Sequence, residues 1–595
     1  MLLLAVLLAA AAVHRLLYHL AQPAADPFAF RPFLDGEAYV DGAQAILAGT
    51  AERGEAFYLA PLYPYLLAGL FAATGVGLGA VYLVQHVLSL ATAAGVGWLA
   101  RRRAGDTAGI AAAALFAFHS PLVFFAATPM GETVALFLLV ASLVAAEGRS
   151  GPRAAGAGLL AGLASLARPN LLLVPLFLAL GDLAARRWRR AGWLAAGAAL
   201  AVLPVTVRNL AASGHPVAIS ANGGLTLYHG NGPGATGVFT RPEGFSGLVA
   251  RQREEATVLA RARSGERGLD AVEADRWWGE EARRVRLADP AGTLSLLGWR
   301  ALLLLDDFEH ALDYDPTLDG NPWRARLRWG VDPARPGSGR EVALVPFALL
   351  LALAAAALAA RGPRGSGGWA LWGPILACAA TPIVFYVSSR YRLATSALLA
   401  IPGGIGLATL AGRAGALSAG RRRIGLAAAL AAAALSFAVP SGALARQGRA
   451  FGLSNRGGIL TLAGDWAAAE RYARAAVAAM PELSIAHHNL ASLLARTGRE
   501  EEAIAAYREA IARDPTNADS VAALAQLLLP RGRGAELEGA LRRAVQARPS
   551  HAPAWTALVH VLARQGRRAE AEDAARAAAS HGLRIDPRAF DPGGR

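Results

Sequence analysis

The sequence predicts an all-α protein built as a polytopic membrane helix bundle followed by an α-solenoid. Three observations lead there. Of 595 residues, 54% are hydrophobic and only 17% charged, which is too apolar for a soluble chain of this length. Apolar runs of near-membrane length recur from residue 1 to residue 440. Beyond residue 450 the chain repeats with a period of 34 residues.

The apolar runs fall at 1–13, 78–100, 107–125, 133–146, 154–167, 169–181, 191–207, 342–360, 369–389, 393–412 and 424–440. They predict about eleven transmembrane helices, since a hydrocarbon core takes roughly 20 residues to cross. The first run lacks a basic leader and many more follow it, so it reads as a membrane helix, not as a signal-peptide core.

The formal charge is +15, and all of the basic charge is Arg, for no Lys occurs. Arg clusters at 101–103, 149 with 153, 186–190, 361 with 364, and 413 with 421–423 occupy short loops between apolar runs. That distribution describes orientation in a membrane and contact with its lipids, not nucleic-acid binding. All five clusters fall on one side, the cytoplasmic one, if 294–305 lies at the interface. The segments 20–77 and 208–341 and everything after 440 then lie outside the cytoplasm. The expected domains are 1–440, including the large outside loop 208–341, and a repeat domain at 452–585.

In the repeat domain Gly464, Gly498, Gly532 and Gly566 are in register, as are Ala476, Ala510, Ala544 and Ala578, and Pro481, Pro515 and Pro549. The pattern resembles the tetratricopeptide repeat, a helix–turn–helix unit, and about four units are expected. Small residues allow close helix packing and each Pro ends the second helix of its unit. Such arrays bind protein partners along extended surfaces; the same array also reads as a spacer or as a cap on the membrane domain.

The first outside loop reads Phe33-Leu34-Asp35-Gly36-Glu37-Ala38-Tyr39 and later Pro61-Leu62-Tyr63-Pro64. Arg168-Pro169-Asn170 sits at the outside end of a short hairpin, Arg208-Asn209 opens the large loop, and a polar stretch runs from Asn222 through Tyr228 to Asn231. Arg390-Tyr391-Arg392 follows the run ending at 389. In this order the motifs resemble the bacterial membrane glycosyltransferases of type C fold related to protein O-mannosyltransferases and lipid A aminoarabinose transferase. The resemblance covers residues 15–410. It implies a multi-pass enzyme of the bacterial inner membrane that takes a sugar from a polyprenyl-phosphate donor to an extracytoplasmic protein, lipid or glycan acceptor. It also implies Asp35 as the catalytic carboxylate, with Tyr39 four residues on. Many members carry Glu directly after the Asp, whereas here Gly36 stands there and Glu37 comes one step later.

The reaction suits this inventory. A sugar phosphodiester carries its own leaving group, so one base to take the acceptor proton suffices, and Asp35, with Glu37 beside it, supplies a carboxylate. The leaving phosphate calls for guanidinium groups, for which Arg390, Arg392, Arg168 and Arg208 are candidates. Tyr39, Tyr63, Asn222, Tyr228 and Asn231 are the candidate substrate-binding residues. Each has a plainer reading: Asp35 or Glu37 as the cap of an amphipathic helix, the arginines as topology anchors, and 222–231 as a set of turns. Glu132 and His119 lie near the membrane region and receive no role.

A single cysteine, Cys378, allows neither a disulfide framework nor a cysteine metal site. No phosphate-binding loop, dinucleotide fingerprint or histidine pair at metal spacing occurs, and the adjacent His487 and His488 point about 100° apart on a helix. No metal and no cofactor are expected, and a nucleotide-sugar donor is disfavoured. An oligosaccharide ligase or polymerase is the alternative enzyme. A non-catalytic membrane scaffold for the repeats is the alternative without chemistry, and a transporter would show mid-membrane charges and paired halves.

Overall fold

The computed structural model describes residues 2–25, 29, 32, 35–51, 54–148, 150–245, 249–310, 323, 325–329, 340–365, 368–415 and 417–585. Phe33, Leu34 and Arg149 of the motifs above lie outside them. The chain begins with α1 (Leu2–Ala25), α2 (Asp35–Leu47), α3 (Leu62–Thr74) and α4 (Leu78–Ala104). α1 and α4 have the length and hydropathy of membrane spans, and α1 leaves Leu2, Leu3 and Leu20 exposed on the flank a bilayer would cover. The run expected at 107–125 is broken into α5 (Asp106–Ala117) and α6 (Ser120–Phe125). Pro121 stands in the first turn of α6, where its missing N–H costs nothing; inside a continuous helix it would remove a hydrogen bond.

Next come α7 (Glu132–Ala146), α8 (Gly151–Ala167), α9 (Leu173–Ala184) and α10 (Trp188–Ser213), with a 3-10 turn Pro169–Leu172 ahead of α9. α8 and α10 approach closely because glycine faces backbone on both: a Cβ on Gly158 would lie 1.9 Å from the Leu194 carbonyl oxygen, and one on Gly197 would lie 2.0 Å from that of Ala155. Packing through small residues is how helices associate where no hydrophobic effect drives them together.

The large loop holds α11 (Gly223–Asn231), α12 (Val249–Ser264), α13 (Ala271–Ala288) and α14 (Pro290–Leu305), then β1 (Arg326–Trp329) paired antiparallel with β2 (Arg340–Ala343). This ribbon departs from the all-α expectation; Arg326 and Arg328 alternating with Leu327 and Trp329 give β1 a period of two, which a helix does not use. α13 starts at a capping box in which Asp270 accepts from the N–H groups of Val272 and Glu273, while Glu273 accepts from that of Asp270. Trp278 is fully buried among Tyr228, Phe245 and Leu259.

The bundle closes with α15 (Phe347–Gly365), α16 (Trp369–Val384), α17 (Ser389–Leu410) and α18 (Ala419–Ala438). α17 is the central helix, with 89% of its most apolar stretch buried. Among the described residues five helices are long and apolar enough to cross a membrane, or six if α18 and the helix after it are one span bent by 63°. The other expected spans correspond to helices of 12 to 17 residues, short of the roughly 20 that a full crossing takes, so length and composition do not reach the expected eleven.

The repeat region comprises α19 (Gly442–Ala463), α20 (Trp466–Ala479), α21 (Ser484–Arg496), α22 (Glu500–Arg513), α23 (Ala518–Leu528), α24 (Glu538–Ala547), α25 (Ala552–Arg564) and α26 (Arg568–Ser580). Paired in order they form four hairpins, and the expected start at 452 falls within α19. Gly464, Gly498, Gly532 and Gly566 occupy the four turns with φ between 72° and 81°, a left-handed conformation that glycine adopts without strain. The array docks on the rest of the chain: Arg456 donates to the Ala25 carbonyl at 2.7 Å, and Arg548 pairs with Glu255 of α12 at 3.2 Å with both side chains almost fully buried.

Candidate active site

Three helix N-termini converge outside the bundle's core. α2 starts at Asp35, α7 starts at Glu132, and Arg390 lies in the first turn of α17, which Ser388 caps by accepting from the Tyr391 N–H. The two carboxylates sit where the helix dipole favours negative charge, whereas Arg390 sits where it does not. Arg390 is held there by donating to both Asp35 and Glu132. Arg168, the residue after α8, reaches the same Glu132 oxygen at 3.0 Å and lies over the Tyr391 ring at 5.4 Å. Two acids and two guanidiniums therefore form one charge-balanced cluster. Glu132 is 3% exposed, and its second carboxylate oxygen is buried without a hydrogen bond.

The cluster borders a cavity of about 1480 Å³. Asp35, Glu37, Tyr39, Arg168, Asn222 and Arg390 all line it. Glu37 is exposed at the rim, and desolvation together with the Asp41 carboxylate raises its pKa. Tyr39 is buried, its ring edge-on to Tyr63 at 5.3 Å, and burial pushes its phenol up to about 12. On one side the cavity continues into an apolar arm formed by Leu172, Leu173, Leu176 and Ala179 against Ala195 and Ala198 of α10; Leu176 is 51% exposed on the outer flank. On another side the repeats supply the wall: Phe451, Asn455 and Ile459 of α19, and Asn489 and Arg496 of α21.

Five residues expected at the site do not line this cavity. Arg392 is 1% exposed, pairs with Glu309 at 2.7 Å, donates to the carbonyls of Asp306 and Phe308, and packs on Phe347, so its donors are taken. Arg208 donates to the Glu55 carbonyl at 2.5 Å and lies over Phe57 at 4.0 Å, bracing the first outside loop. Tyr63 donates to Gln85 at 2.8 Å and acts behind Tyr39. Tyr228 packs on Trp278 with ring centres 4.7 Å apart. Asn231 donates to the carbonyls of Leu227 and Val384 and accepts from buried Arg300, which fixes α11 to the end of α16.

The cavity adds residues that the sequence did not nominate: Glu132 in the cluster beside it, and His229, Gln252, Glu255 and His310 in its lining. Burial lowers the His229 pKa to about 4, so its imidazole is neutral at physiological pH. For Glu132 a signal existed, since an acid at the head of an apolar run stands out. The others come from loop segments whose meeting no local pattern announces. Among the described residues one group, His215, Asp270 and Glu273, has metal-ligand spacing. Asp270 and Glu273 are already engaged as the α13 capping box, and His215 bonds Asp270 at 2.7 Å.

A tetratricopeptide repeat family profile matches residues 484–517, the unit made by α21 and α22. No curated protein sequence matches the chain significantly. Solved structures similar to it include YrrB, a TPR protein with an unusual peptide-binding site, at 19% identity over 24% of this chain and 70% of that one, with a TM-score of 0.20. MamA is similar at 18% identity over 27% of this chain and 88% of its own, with a TM-score of 0.21. The oligosaccharyltransferase AglB from Archaeoglobus fulgidus is similar at 16% identity over 74% of this chain, with a TM-score of 0.35. The chain spans 56% of the length of that archaeal protein.

Proposed function

We propose that the protein is a membrane glycosyltransferase that moves a sugar from a polyprenyl-phosphate carrier to an acceptor outside the cytoplasm. The observation carrying this reading is the joining, in one cavity, of a carboxylate–guanidinium cluster to an apolar arm that reaches the flank of the bundle. An ionic headgroup and a long hydrocarbon need those two environments side by side. Asp35 is the base, Arg390 and Arg168 are the phosphate-binding groups, and Tyr39, Asn222 and Glu37 line the sugar and acceptor side.

In the resting site Arg390 is bound to Asp35. A donor phosphodiester carries one negative charge, and it competes for that guanidinium and releases the carboxylate. The acceptor hydroxyl or amine then attacks the anomeric carbon, its proton passes to Asp35, and the bond from that carbon to the phosphate oxygen breaks. The departing polyprenyl phosphate gains a second negative charge, which Arg390 and Arg168 meet with charge-assisted hydrogen bonds. Glu132 holds both guanidiniums in place throughout, as a positioning residue.

In this reading the chain is a multi-pass protein of a bacterial inner membrane. The shorter apolar helices complete about eleven crossings by local thinning of the bilayer and by snorkelling of the flanking arginines. The site and the repeats face away from the cytoplasm. Incubating the purified chain with a polyprenyl-phosphate sugar, then comparing envelope glycans and glycoproteins by mass spectrometry with and without the gene, tests the reading. Release of polyprenyl phosphate and a glycosylated product support it; an unchanged envelope and an intact donor refute it.

A further inference from the structure

A second cleft of about 730 Å³ opens between the large loop and the third repeat. Tyr228, Thr240 and Arg241 line one side, Leu259 and Arg263 of α12 another, and Thr516, Arg543 and Gln546 the third. His229, Thr240 and Arg241 line both this cleft and the main cavity, so the two spaces meet along that segment.

The charged groups lining the cleft are Arg241, Arg263, Arg543 and a single acid, Glu243. Arg263 and Arg543 contrast with several guanidiniums elsewhere on the repeats, which are matched with acids. Arg499 pairs with Glu470 and Glu502, Arg508 with Glu536, Arg531 with Glu500, and Arg567 with Glu538 and Glu570. The neighbouring Arg542 pairs with Glu538 and Glu570, both near 3 Å. Arg543, one residue on and exposed, is within ion-pair distance of no carboxylate among the described residues. Nor is Arg263, whose guanidinium is held in place by the Trp278 face at 5.3 Å and by donation to the Glu243 carbonyl at 2.8 Å. Arg263 and Arg543, on facing walls and within ion-pair distance of no carboxylate among the described residues, form a site for carboxylates, which guanidiniums bind with paired hydrogen bonds.

Between the charges the walls are aliphatic: Pro233, Pro242, Leu259, Ala262, Ala547 and Pro549. The lining aromatic residue, Tyr228, has its ring packed on Trp278. Apolar patches interrupted by guanidiniums suit a polypeptide with acidic side chains better than a glycan, which would call for open aromatic platforms.

We propose that this cleft is an acceptor subsite for an acidic polypeptide segment, whose adjoining residues pass along Arg241, Thr240 and His229 into the main cavity. The proposal rests on the transferase reading for the word acceptor, but the binding it asserts is measured without donor. The full-length protein in lipid nanodiscs is titrated into a fluorescent peptide of alternating glutamate and alanine, and into its glutamine counterpart. The glutamate peptide binds, and the glutamine peptide binds about tenfold more weakly or worse. Arg543→Glu weakens the glutamate peptide about tenfold, as does Gln546→Glu, which adds a carboxylate from the exposed neighbour in the cleft. Arg508→Gln, outside the cleft, leaves binding as it was. Equal affinity for the two peptides, or no effect of either cleft variant, overturns the proposal. So does an oligogalacturonate that binds more tightly and displaces the peptide, because the occupant is then an anionic glycan. Peptide binding with no sugar transfer would sink the transferase reading alone, and transfer with no peptide binding would sink this one alone.

Discussion

Arg390, in the first turn of the central helix, donates to the carboxylate of Asp35 across 355 residues of sequence. The contact ties the first outside loop to the core of the bundle, and it sets the charge state the site holds before a substrate arrives. In the proposed mechanism a donor phosphate that takes over Arg390 leaves Asp35 free to accept a proton, so that donor binding and activation of the base are one event.

Asp35→Asn keeps the shape and the hydrogen bond to Arg390 but removes the base. Transfer falls by about 100-fold to 10,000-fold, the usual cost of losing a general base. Donor affinity stays the same or improves, since Arg390 is held less tightly. Turnover of purified enzyme, together with donor binding, checks both halves. Activity within a few-fold of wild type removes Asp35 from the role.

Glu132→Gln acts through stability. The side chain is 3% exposed and serves two guanidiniums, and removing one partner from a buried ionic network costs about 3–5 kcal/mol. Asp35 is 21% exposed, so screening makes Asp35→Asn cost much less. A thermal melt of the two variants therefore ranks Glu132→Gln far below Asp35→Asn, while turnover falls in both. Equal melting points would mean that Glu132 does not hold the cluster.

How much of this was legible in sequence follows from geometry. The helical runs and the repeat turns were, because apolar period and a glycine every 34 residues are local signals. Arg390 and Arg392 looked equivalent, yet two residues on a helix are about 200° apart, so only one can face the cavity; Arg392 turns to Glu309 instead. Nothing local distinguishes them. The break at Phe118 was hidden because Pro121 sits just past it, inside an otherwise unbroken apolar stretch. The repeat wall of the cavity comes from α19 and α21, which local patterns assign to a separate domain.

Asp519 gives the repeats a pH dependence. Burial alone would raise its pKa, but the hydrogen bond from His551 and the charge of Arg548 outweigh this and hold it well below the usual carboxylate range. A depressed native pKa adds stability that is complete above the unfolded value, about 3.9, and is lost as pH falls through the native value. Asp519→Asn therefore melts below wild type at neutral pH, and the gap narrows as the solution is acidified below about pH 4. A gap that is constant with pH would assign the effect to packing instead.

Orientation in the membrane can be checked because α7 carries the cluster at one end and the basic loops at the other. Glu132 opens the helix; at its far end Glu147 pairs with Arg103, and the Ala146 carbonyl accepts from Arg190. If basic loops stay in the cytoplasm, the cluster, the large loop and the repeats lie on the opposite side. The chain's single cysteine, Cys378, is buried at 1% exposure, so introduced thiols report cleanly. Cysteines replacing the exposed Asp41, Glu266 and Glu501 should react with a membrane-impermeant maleimide on intact spheroplasts. Those replacing Arg102, Arg187 and Arg423, also exposed, should react only after lysis. Asp41 tests the first outside loop, Glu266 the large loop and Glu501 the second repeat. Labelling of all three only after lysis inverts the orientation. Labelling of Asp41 and Glu266 but not Glu501 detaches the repeats from the site, which the Arg548–Glu255 pair and the shared cavity wall forbid.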